Sequence, residues 1–243
     1  MFRLSQEGEV ARLVIDRPKA RNAIPLDGWR ALAARIGEIE RSPARLLVLS
    51  GAGGAFCAGA DLDDFALLNR DEAARSRFRE EMRDALDRLR GLAVPAVAAI
   101  EGPCFGAGVA LAMACDLRLA AADARFAITP AKIGISYPQE DVHRLVQLVG
   151  PGQAARLLFT AATIGADEAV RIGLVEALEA EAGLGAVIEA ILANDQDSLA
   201  ALKRGLRLTA GGRWSDADQD RRFDALIGGE ALAGRLEALR RKW

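Results

Sequence analysis

The 243-residue sequence is poor in residues that bind metals or form cross-links. It has one histidine and three cysteines, at positions 57, 104 and 115, whose spacing matches no zinc motif. We therefore expect no metal site. Three cysteines cannot all pair with one another, so a reducing compartment is the simplest interpretation, and we expect a cytoplasmic protein.

Long hydrophobic runs and an excess of one charge are lacking as well. The longest run without a charged residue, 102–115, is too short to cross a bilayer, and residues 1–8 contain no apolar signal core. Lys and Arg number 32 against 34 Asp and Glu, which leaves a net charge of −2 and no basic footprint for nucleic acid. We expect neither membrane insertion nor a nucleic-acid partner.

Aromatic residues are scarce at 5%, whereas the chain has 24 glycines, so its core must rely on close approach of backbones. Short apolar segments at Val10–Ile15, 46–49 and 95–100 are typical of buried strands. They alternate with amphipathic helical patterns over 26–41 and 71–92. Apolar strands that alternate with helices indicate a parallel sheet in an α/β domain, and the C-terminal part is predicted to be mostly helical.

Two loops rich in glycine and alanine, 51–62 and 101–110, each follow a predicted strand and lead into a short helix. Small residues let backbone N–H groups face a ligand directly, and a helix N-terminus adds a partial positive charge. Two such donors that converge on one point can hold the negative oxygen of an enolate, as an oxyanion hole does. Either loop taken alone could equally serve only the close packing of a strand against a helix.

Four segments, spread in order over nearly the whole chain, match the sequence motifs of one family. DRPKARNA at 16–23 fits R-P-x-x-x-N-A, and AFCAGADL at 55–62 fits A-F-x-A-G-A-D-[IL]. Residues 102–116 fit G-x-x-x-G-G-G-x-x-L-A-x-x-C-D with Ala107 at the middle glycine, and 166–175 fit A-x-E-A-x-x-x-G-L-V. The chain resembles the crotonase superfamily, also called the enoyl-CoA hydratase/isomerase family.

The resemblance implies a crotonase-like α/β fold, in which a spiral of ββα units over residues 1–183 holds an acyl-CoA site. It implies further that the helical C-terminal region, 184–243, mediates oligomerisation, so we expect a homotrimer or hexamer. Coenzyme A would enter as part of an acyl-CoA thioester substrate, and no separate cofactor is expected.

In the family two backbone amides form the oxyanion hole, and by resemblance these belong to Ala60 and Ala107. Alanine donates its N–H as glycine does, provided that there is room for its methyl group. The resemblance also implies coenzyme A contacts at Ala58, Asp61, Leu62, Gly106 and Lys242. The first three would line the pantetheine and adenine path, largely through the backbone. Lys242 would meet a phosphate, and a solvated charge run is the alternative interpretation of that basic tail.

The chain departs from the family at both glutamates that hydratases use to handle water. The motif alignment puts Ala110 at the first of these positions and Pro130 at the second. A methyl group and a pyrrolidine ring cannot transfer a proton. The usual addition of water by two carboxylates is therefore not available at these positions.

Tyr137 is one candidate for a substitute group. It is the only tyrosine and falls in a T-P-x-x-x-G-x-x-Y pattern that resembles methylmalonyl-CoA decarboxylases of the same superfamily. Its hydroxyl could orient a carboxylate or donate to an enolate. The decarboxylase pattern also has a histidine where this chain has Ala60, so the match is only half complete.

Glu140 is the other candidate, because one acid is enough to move a proton between two carbons of an enolate. It begins a predicted helix together with Asp141. Acids in a first turn suit the helix dipole, so we interpret Asp141 as a helix-capping residue, and capping stays open as the alternative role of Glu140. His143, one turn later, is interpreted as a solvent or interface residue. Cys57 has no basic neighbour in sequence to lower its pKa and is interpreted as a packing residue.

The sequence thus predicts an acyl-CoA-processing enzyme of the enoyl-CoA hydratase/isomerase type, a lyase or an isomerase that stabilises a thioester enolate. Two alternatives stay open. One is a decarboxylase of a malonyl-type acyl-CoA that uses Tyr137. The other is a catalytically silent acyl-CoA-binding homologue, which the missing glutamates suggest.

Overall fold

The computed structural model describes residues 1–241. Nine strands are described: β1 Phe2–Glu7, β2 Val10–Ile15, β3 Leu46–Gly51, β4 Ala96–Ile100, β5 Pro103–Phe105, β6 Leu117–Ala120, β7 Arg125–Ala127, β8 Ile164–Gly165 and β9 Ala177–Leu178. Eleven α-helices are described: α1 Leu26–Glu40, α2 Phe65–Arg70, α3 Glu72–Gly91, α4 Ala107–Ala114, α5 Gln139–Thr160, α6 Ala166–Arg171, α7 Glu179–Ala182, α8 Leu184–Leu192, α9 Gln196–Ala210, α10 Ala217–Ile227 and α11 Glu230–Arg240. Within that range, no helix is long and apolar enough to cross a membrane.

The strands form two sheets. The larger has the order β1-β2-β3-β4-β6-β9 and the smaller the order β5-β7-β8. The antiparallel pair β1–β2 turns at Gly8, and the other pairs of the larger sheet are parallel. From β4 to β7 successive strands alternate between the two sheets. This arrangement confirms the α/β fold expected from the sequence motifs.

Strand β3 is apolar on both faces because both faces are covered. Leu47 and Leu49 belong to the main core, which α1 and α3 cover. Leu46 and Val48 face the opposite side, where the apolar residues of α8 pack on the sheet. Burial on two sides explains why the strands read as continuous apolar runs rather than as alternating ones.

The main helices and strands lie where the sequence predicts them, whereas β1, β5 and β8 were not predicted. The sequence does not predict β1 because it is an edge strand in which Phe2 is the only buried residue. Strands β5 and β8 are only three and two residues long, and their pairing with β7 depends on distant parts of the chain. Helix α5 breaks at Gly150, with a φ of 75°, before Pro151.

The C-terminal region begins on the core and ends on the surface. Lys203 of α9 is 6% exposed, and its Nζ lies 2.7 Å from Asp116 Oδ2 and 2.8 Å from the carbonyl oxygen of Val94. Helix α10, by contrast, has no buried residue among those described. The assignment of 184–243 to oligomerisation stays a prediction.

We expect Lys203→Met to lower the free energy of unfolding by about 3 kcal/mol, because it leaves the carboxylate of Asp116 without its cation in a largely buried place. Arg222→Met is the matched control. It breaks an ion pair with Asp218 whose side chains are 52% and 39% exposed, and should leave the stability nearly unchanged. Urea unfolding measures both, and equal losses would contradict the attachment of α9 through Lys203.

Candidate functional site

The first glycine-containing loop, 51–62, is fixed by the segment that carries the R-P-x-x-x-N-A motif. Asn22 is fully buried, and its Nδ2 donates to the carbonyl oxygens of Ala52 at 2.9 Å and Ala55 at 2.6 Å. Its Oδ1 accepts the N–H of Arg17 at 2.8 Å. One asparagine therefore joins the turn after β2 to the turn after β3, which explains why these two motifs occur together.

A salt bridge makes a second connection between the same segments. Arg17 Nη1 lies 2.5 Å from Asp61 Oδ2, and the guanidinium holds the pKa of that carboxyl below its ordinary value. Asp61 Oδ1 also accepts the N–H of Asp63, at 3.2 Å. The carboxylate of Asp61 is thus engaged within the protein.

The amide of Ala60 is free because of the way its neighbours are bonded. Ile24 donates its N–H to the carbonyl of Gly59 at 2.8 Å and accepts the N–H of Asp61 at 2.9 Å. In a parallel bridge of this kind the residue between the two bonded neighbours turns its own N–H away from the partner. Among the described residues none accepts a hydrogen bond from the Ala60 amide.

The second loop, 101–110, is bonded directly to the first. Phe105 donates its N–H to the carbonyl of Cys57 at 2.9 Å, and Cys57 donates to the carbonyl of Pro103 at 3.0 Å. The contact extends to Gly108, where an added Cβ would lie 2.3 Å from the oxygen of Cys57. Only glycine fits there, so the small residues of the two loops allow their backbones to meet.

The amide of Ala107 begins helix α4 and has no partner of its own. The first N–H groups of a helix lack intrahelical acceptors, and Gly106 before it, with a φ of 50°, has no side chain to cap them. The described residues offer the Ala107 N–H no acceptor. A Cβ built on Gly59 would lie 3.5 Å from the Ala107 nitrogen, so the two free amides belong to adjoining stretches of backbone.

Ala60 and Ala107 both line one cavity of about 550 Å³. The wall also includes these residues singled out in the sequence: Ala58, Asp61, Leu62, Gly106, Ala110, Pro130 and Tyr137. Much of the rest is apolar, with Phe65, Phe78, Met82, Phe105, Ile133 and Ile135. The two positions that lack the glutamates therefore belong to the cavity, and Lys242 lies outside the described residues.

Tyr137 is buried in the cavity wall, where its hydroxyl donates to the carbonyl oxygen of Gly106 at 3.0 Å. Burial raises the pKa of this hydroxyl well above its ordinary value, so it stays protonated. The hydrogen bond reaches the residue directly before Ala107. Tyr137 thus fixes the start of α4, and its proton is directed at the protein rather than into the cavity.

The structure places the two neighbouring acids of α5 in opposite environments. The side chain of Glu140 is 58% exposed, lies 3.7 Å from Arg83 and is not part of the cavity wall. Asp141 is completely buried and is part of that wall. Asp141 lies in the first turn of α5, as the helix-dipole argument expects, but its side chain makes no capping hydrogen bond, and the N-cap is Pro138. Sequence reasoning missed this buried acid, since the charge pattern does not tell which of two adjacent acids turns inward.

The remaining candidates do not contribute reactive groups to the cavity. Cys57 is fully buried, and burial raises the pKa of its thiol to about 12, which agrees with its interpretation as a packing residue. His143 lies on the exposed side of α5, with Nε2 3.2 Å from the carbonyl oxygen of Ala210 in α9.

A model of the family described as enoyl-CoA hydratase/isomerase matches residues 5–214. The chain belongs to this family. The structure is also similar to that of an enoyl-CoA hydratase/isomerase family protein from Hyphomonas neptunium, with a TM-score of 0.93 and 34% sequence identity. That similarity covers 99% of this chain and 95% of the other.

Curated relatives of the family include a short-chain-enoyl-CoA hydratase from Clostridium acetobutylicum, 41% identical over 174 residues. The match covers 71% of this chain and 66% of the relative. The peroxisomal Δ(3,5)-Δ(2,4)-dienoyl-CoA isomerase of Arabidopsis thaliana is 31% identical over 186 residues, 72% of this chain and 67% of the relative. The chain thus spans about two thirds of the length of these relatives. Their names describe both a hydratase and an isomerase, so membership of the family does not decide between the two reactions.

We expect Tyr137→Phe to lower the free energy of unfolding by about 1 kcal/mol, the usual net contribution of a buried hydrogen bond. The loss should be no larger, because the Gly106 carbonyl keeps the N–H groups of Val109 and Ala110 as donors. Thermal or urea unfolding measures the change, with Ser136→Ala at the exposed neighbour as control. Unchanged stability would contradict the role of Tyr137 as an anchor of α4.

Proposed function

We propose that the chain is an enzyme that binds an acyl-CoA thioester and rests its carbonyl oxygen on the amides of Ala60 and Ala107. The observation that carries this proposal is the pair of unbonded N–H groups in adjoining stretches of one cavity wall. When a proton or another group leaves the α-carbon, negative charge develops on that oxygen. Donors already held in position stabilise the charge without reorganising, and the dipole of α4 adds to the effect.

The charges around the cavity support an anionic ligand. Three exposed cations, Arg21, Arg79 and Lys132, line the cavity. Coenzyme A carries phosphates, which these side chains would meet outside the apolar interior. The aromatic and aliphatic part of the wall would receive the acyl group. The backbones of Ala58, Asp61, Leu62 and Gly106 would then lie along the rest of the ligand.

The type of reaction follows from the groups that the wall lacks. Ala110 and Pro130 supply no titratable atom, so water addition by two glutamates is not the reaction that we propose. A change that passes through an enolate and needs at most one acid, as in an isomerase or a lyase, fits the cavity better. In this proposal coenzyme A is part of the substrate.

A decarboxylase of a malonyl-type acyl-CoA is the second candidate. Loss of carbon dioxide needs enolate stabilisation and no base, and Tyr137 stands in the cavity wall next to the proposed oxyanion amides. Its hydroxyl would have to leave Gly106 to donate to the substrate. Release of carbon dioxide from methylmalonyl-CoA would favour this candidate, whereas tight binding of thioesters without any turnover would favour a silent acyl-CoA-binding protein.

We propose further that the protein assembles as a homotrimer or hexamer through its C-terminal helices. Helices α9 and α10 present large apolar side chains to solvent, among them Leu202, Leu206, Phe223 and Ile227. A surface of this kind is typical of protein–protein contacts. Light scattering on the full chain tests the assembly, and a monomer would contradict it.

We expect Ala107→Pro to lower kcat by about 10²–10³-fold, the usual effect of losing one oxyanion donor. Proline is well tolerated at the first position of a helix, so the fold should survive the loss of this N–H. Isomerisation of a panel of enoyl-CoA thioesters measures the effect.

Ala217→Pro is the matched control, because Ala217 is the first residue of α10, far along the chain from the cavity residues. Its N–H is also free of partners among the described residues. The control should keep wild-type turnover and folding. Equal turnover in Ala107→Pro and Ala217→Pro would overturn the oxyanion hole.

A further inference from the structure

A second, smaller cavity lies at the C-terminal end of α4, the helix that begins at Ala107. We call it the α4-end cavity. It has a volume of about 220 Å³ and lies between the end of α4 and parts of α3, α5 and α9. Sites for drug-sized ligands measure about 300–1,000 Å³, so this one suits a small ion better than a nucleotide. Among the described residues, the two cavities share none.

The lining of the α4-end cavity is strongly cationic. In the described part of the chain it includes one acid, Asp116, and five cations. The cations are Arg90 of α3, Arg118 of β6, Arg144 of α5, and Lys203 and Arg207 of α9. Like charges gathered in one place repel one another, and a bound anion relieves this repulsion.

Three of these cations are buried and have acid partners within the protein. The pairs are Arg118 with Glu176, Lys203 with Asp116, and Arg144 with Asp87. The three cationic side chains are at most 6% exposed, so they offer a ligand little surface. Because acids balance these three charges, the positive charge left over in the lining belongs to the other two cations.

Arg90 and Arg207 are the two cations that the fold leaves without an acid. Cations close to them on the same helices do have partners, since Arg88 pairs with Asp84 and Arg204 with Asp216. None of the ion pairs between described residues includes Arg90 or Arg207. Both side chains are half-buried and therefore remain accessible to a small ligand.

The two arginines keep N–H donors that a ligand can use. A guanidinium carries five donors in one plane. Arg207 donates from Nη1 to the carbonyl oxygen of Gly91 at 2.9 Å, and Arg90 donates to no described residue from its side chain. Because Gly91 directly follows Arg90, this bond holds the two arginines at the same place between α3 and α9.

The ends of helices account for only part of this positive charge. Arg90 and Arg207 lie in the last turns of α3 and α9, where the helix dipole favours a cation. Each helix end carries about half a unit of negative charge, which is less than the charge of one arginine. Burial, Arg83 and Arg90 all lower the pKa of Arg144, so the cations here are close enough to repel one another.

We propose that the α4-end cavity binds a small oxyanion with two or more negative charges, such as inorganic phosphate, between Arg90 and Arg207. The planar fork of a guanidinium matches the oxygens of a phosphate or sulfate ion. A bound ion would connect α3 with α9 and so fasten the C-terminal region to the core. The site does not depend on the proposed acyl-CoA chemistry, because its residues belong to a different cavity.

Calorimetry on the full chain with inorganic phosphate, in a chloride buffer of constant ionic strength, tests the proposal. We expect saturable binding of one phosphate per chain. The dissociation constant should rise about 10–100-fold in Arg90→Gln and in Arg207→Gln, the usual effect of losing a charge-assisted hydrogen bond. Arg207→Lys keeps the charge without the fork of donors and should bind with intermediate affinity.

Arg88→Gln is the matched control, because it removes a cation from the same turn of α3 outside the cavity lining. It should bind phosphate as the wild-type protein does. Equal weakening in Arg88→Gln and Arg90→Gln would show an effect of net charge alone and would overturn the site. Absence of saturable binding to the wild-type protein would overturn it as well.

Two further measurements locate the ion and define its size. Lys132→Gln removes a cation from the larger cavity and should leave phosphate binding unchanged. Loss of binding in Lys132→Gln with normal binding in Arg90→Gln would place the ion in the larger cavity and overturn the proposal. Adenosine diphosphate should bind the α4-end cavity more weakly than phosphate. Tighter binding of adenosine diphosphate that Arg90→Gln abolishes would overturn the assignment of a free small ion.

Thermal unfolding gives a readout that also shows whether each variant is folded. A ligand that binds only the folded state raises Tm, so phosphate should raise the Tm of the wild-type protein. Phosphate also stabilises proteins by being excluded from their surface, and this general effect is the same in every variant. The rise should therefore be smaller in Arg90→Gln than in the wild type and in Arg88→Gln. Equal rises in all three proteins would overturn the proposal.

Discussion

The pair of backbone hydrogen bonds made by Cys57 is the constraint on which the rest of the site depends. These bonds join the loop after β3 to the segment around β5, and thereby set the distance between the stretches that carry Ala60 and Ala107. The proposed oxyanion hole would require donors that are already in position, which a backbone held in this way provides. The contact requires glycine at 108, where any Cβ would meet the Cys57 carbonyl. Asn22 and Arg17 then fix the first loop from the other side. The small residues of both loops are thus a requirement of the geometry.

Charge is distributed in the cavity according to depth. Cations line the cavity at exposed positions, while much of the rest of the wall is apolar. The two acids of the wall, Asp61 and Asp141, both face arginines, which limit the penalty of burying them.

The sequence was sufficient for most of the fold and insufficient for its short non-local strands. Helices such as α1 and α3 have long amphipathic patterns, and strands such as β3 are buried on both faces, so their composition indicates them directly. Strand β8 has two residues and exists only because β7 lies beside it. Local patterns report local preferences, whereas pairing between distant segments depends on the packed chain.

For the site, the sequence establishes which chemical groups are present. These are the small residues of the two loops, one tyrosine and two adjacent acids in a single segment, with no acid at Ala110 or Pro130. The folded chain is needed to show that Asp141 is buried in the cavity wall while Glu140 faces solvent, and that the hydroxyl of Tyr137 is bonded to Gly106. Neighbouring residues of a helix point about 100° apart, so the direction of each depends on how α5 packs against α3 and α4. That orientation is a property of contacts between distant parts of the chain, which no local pattern contains.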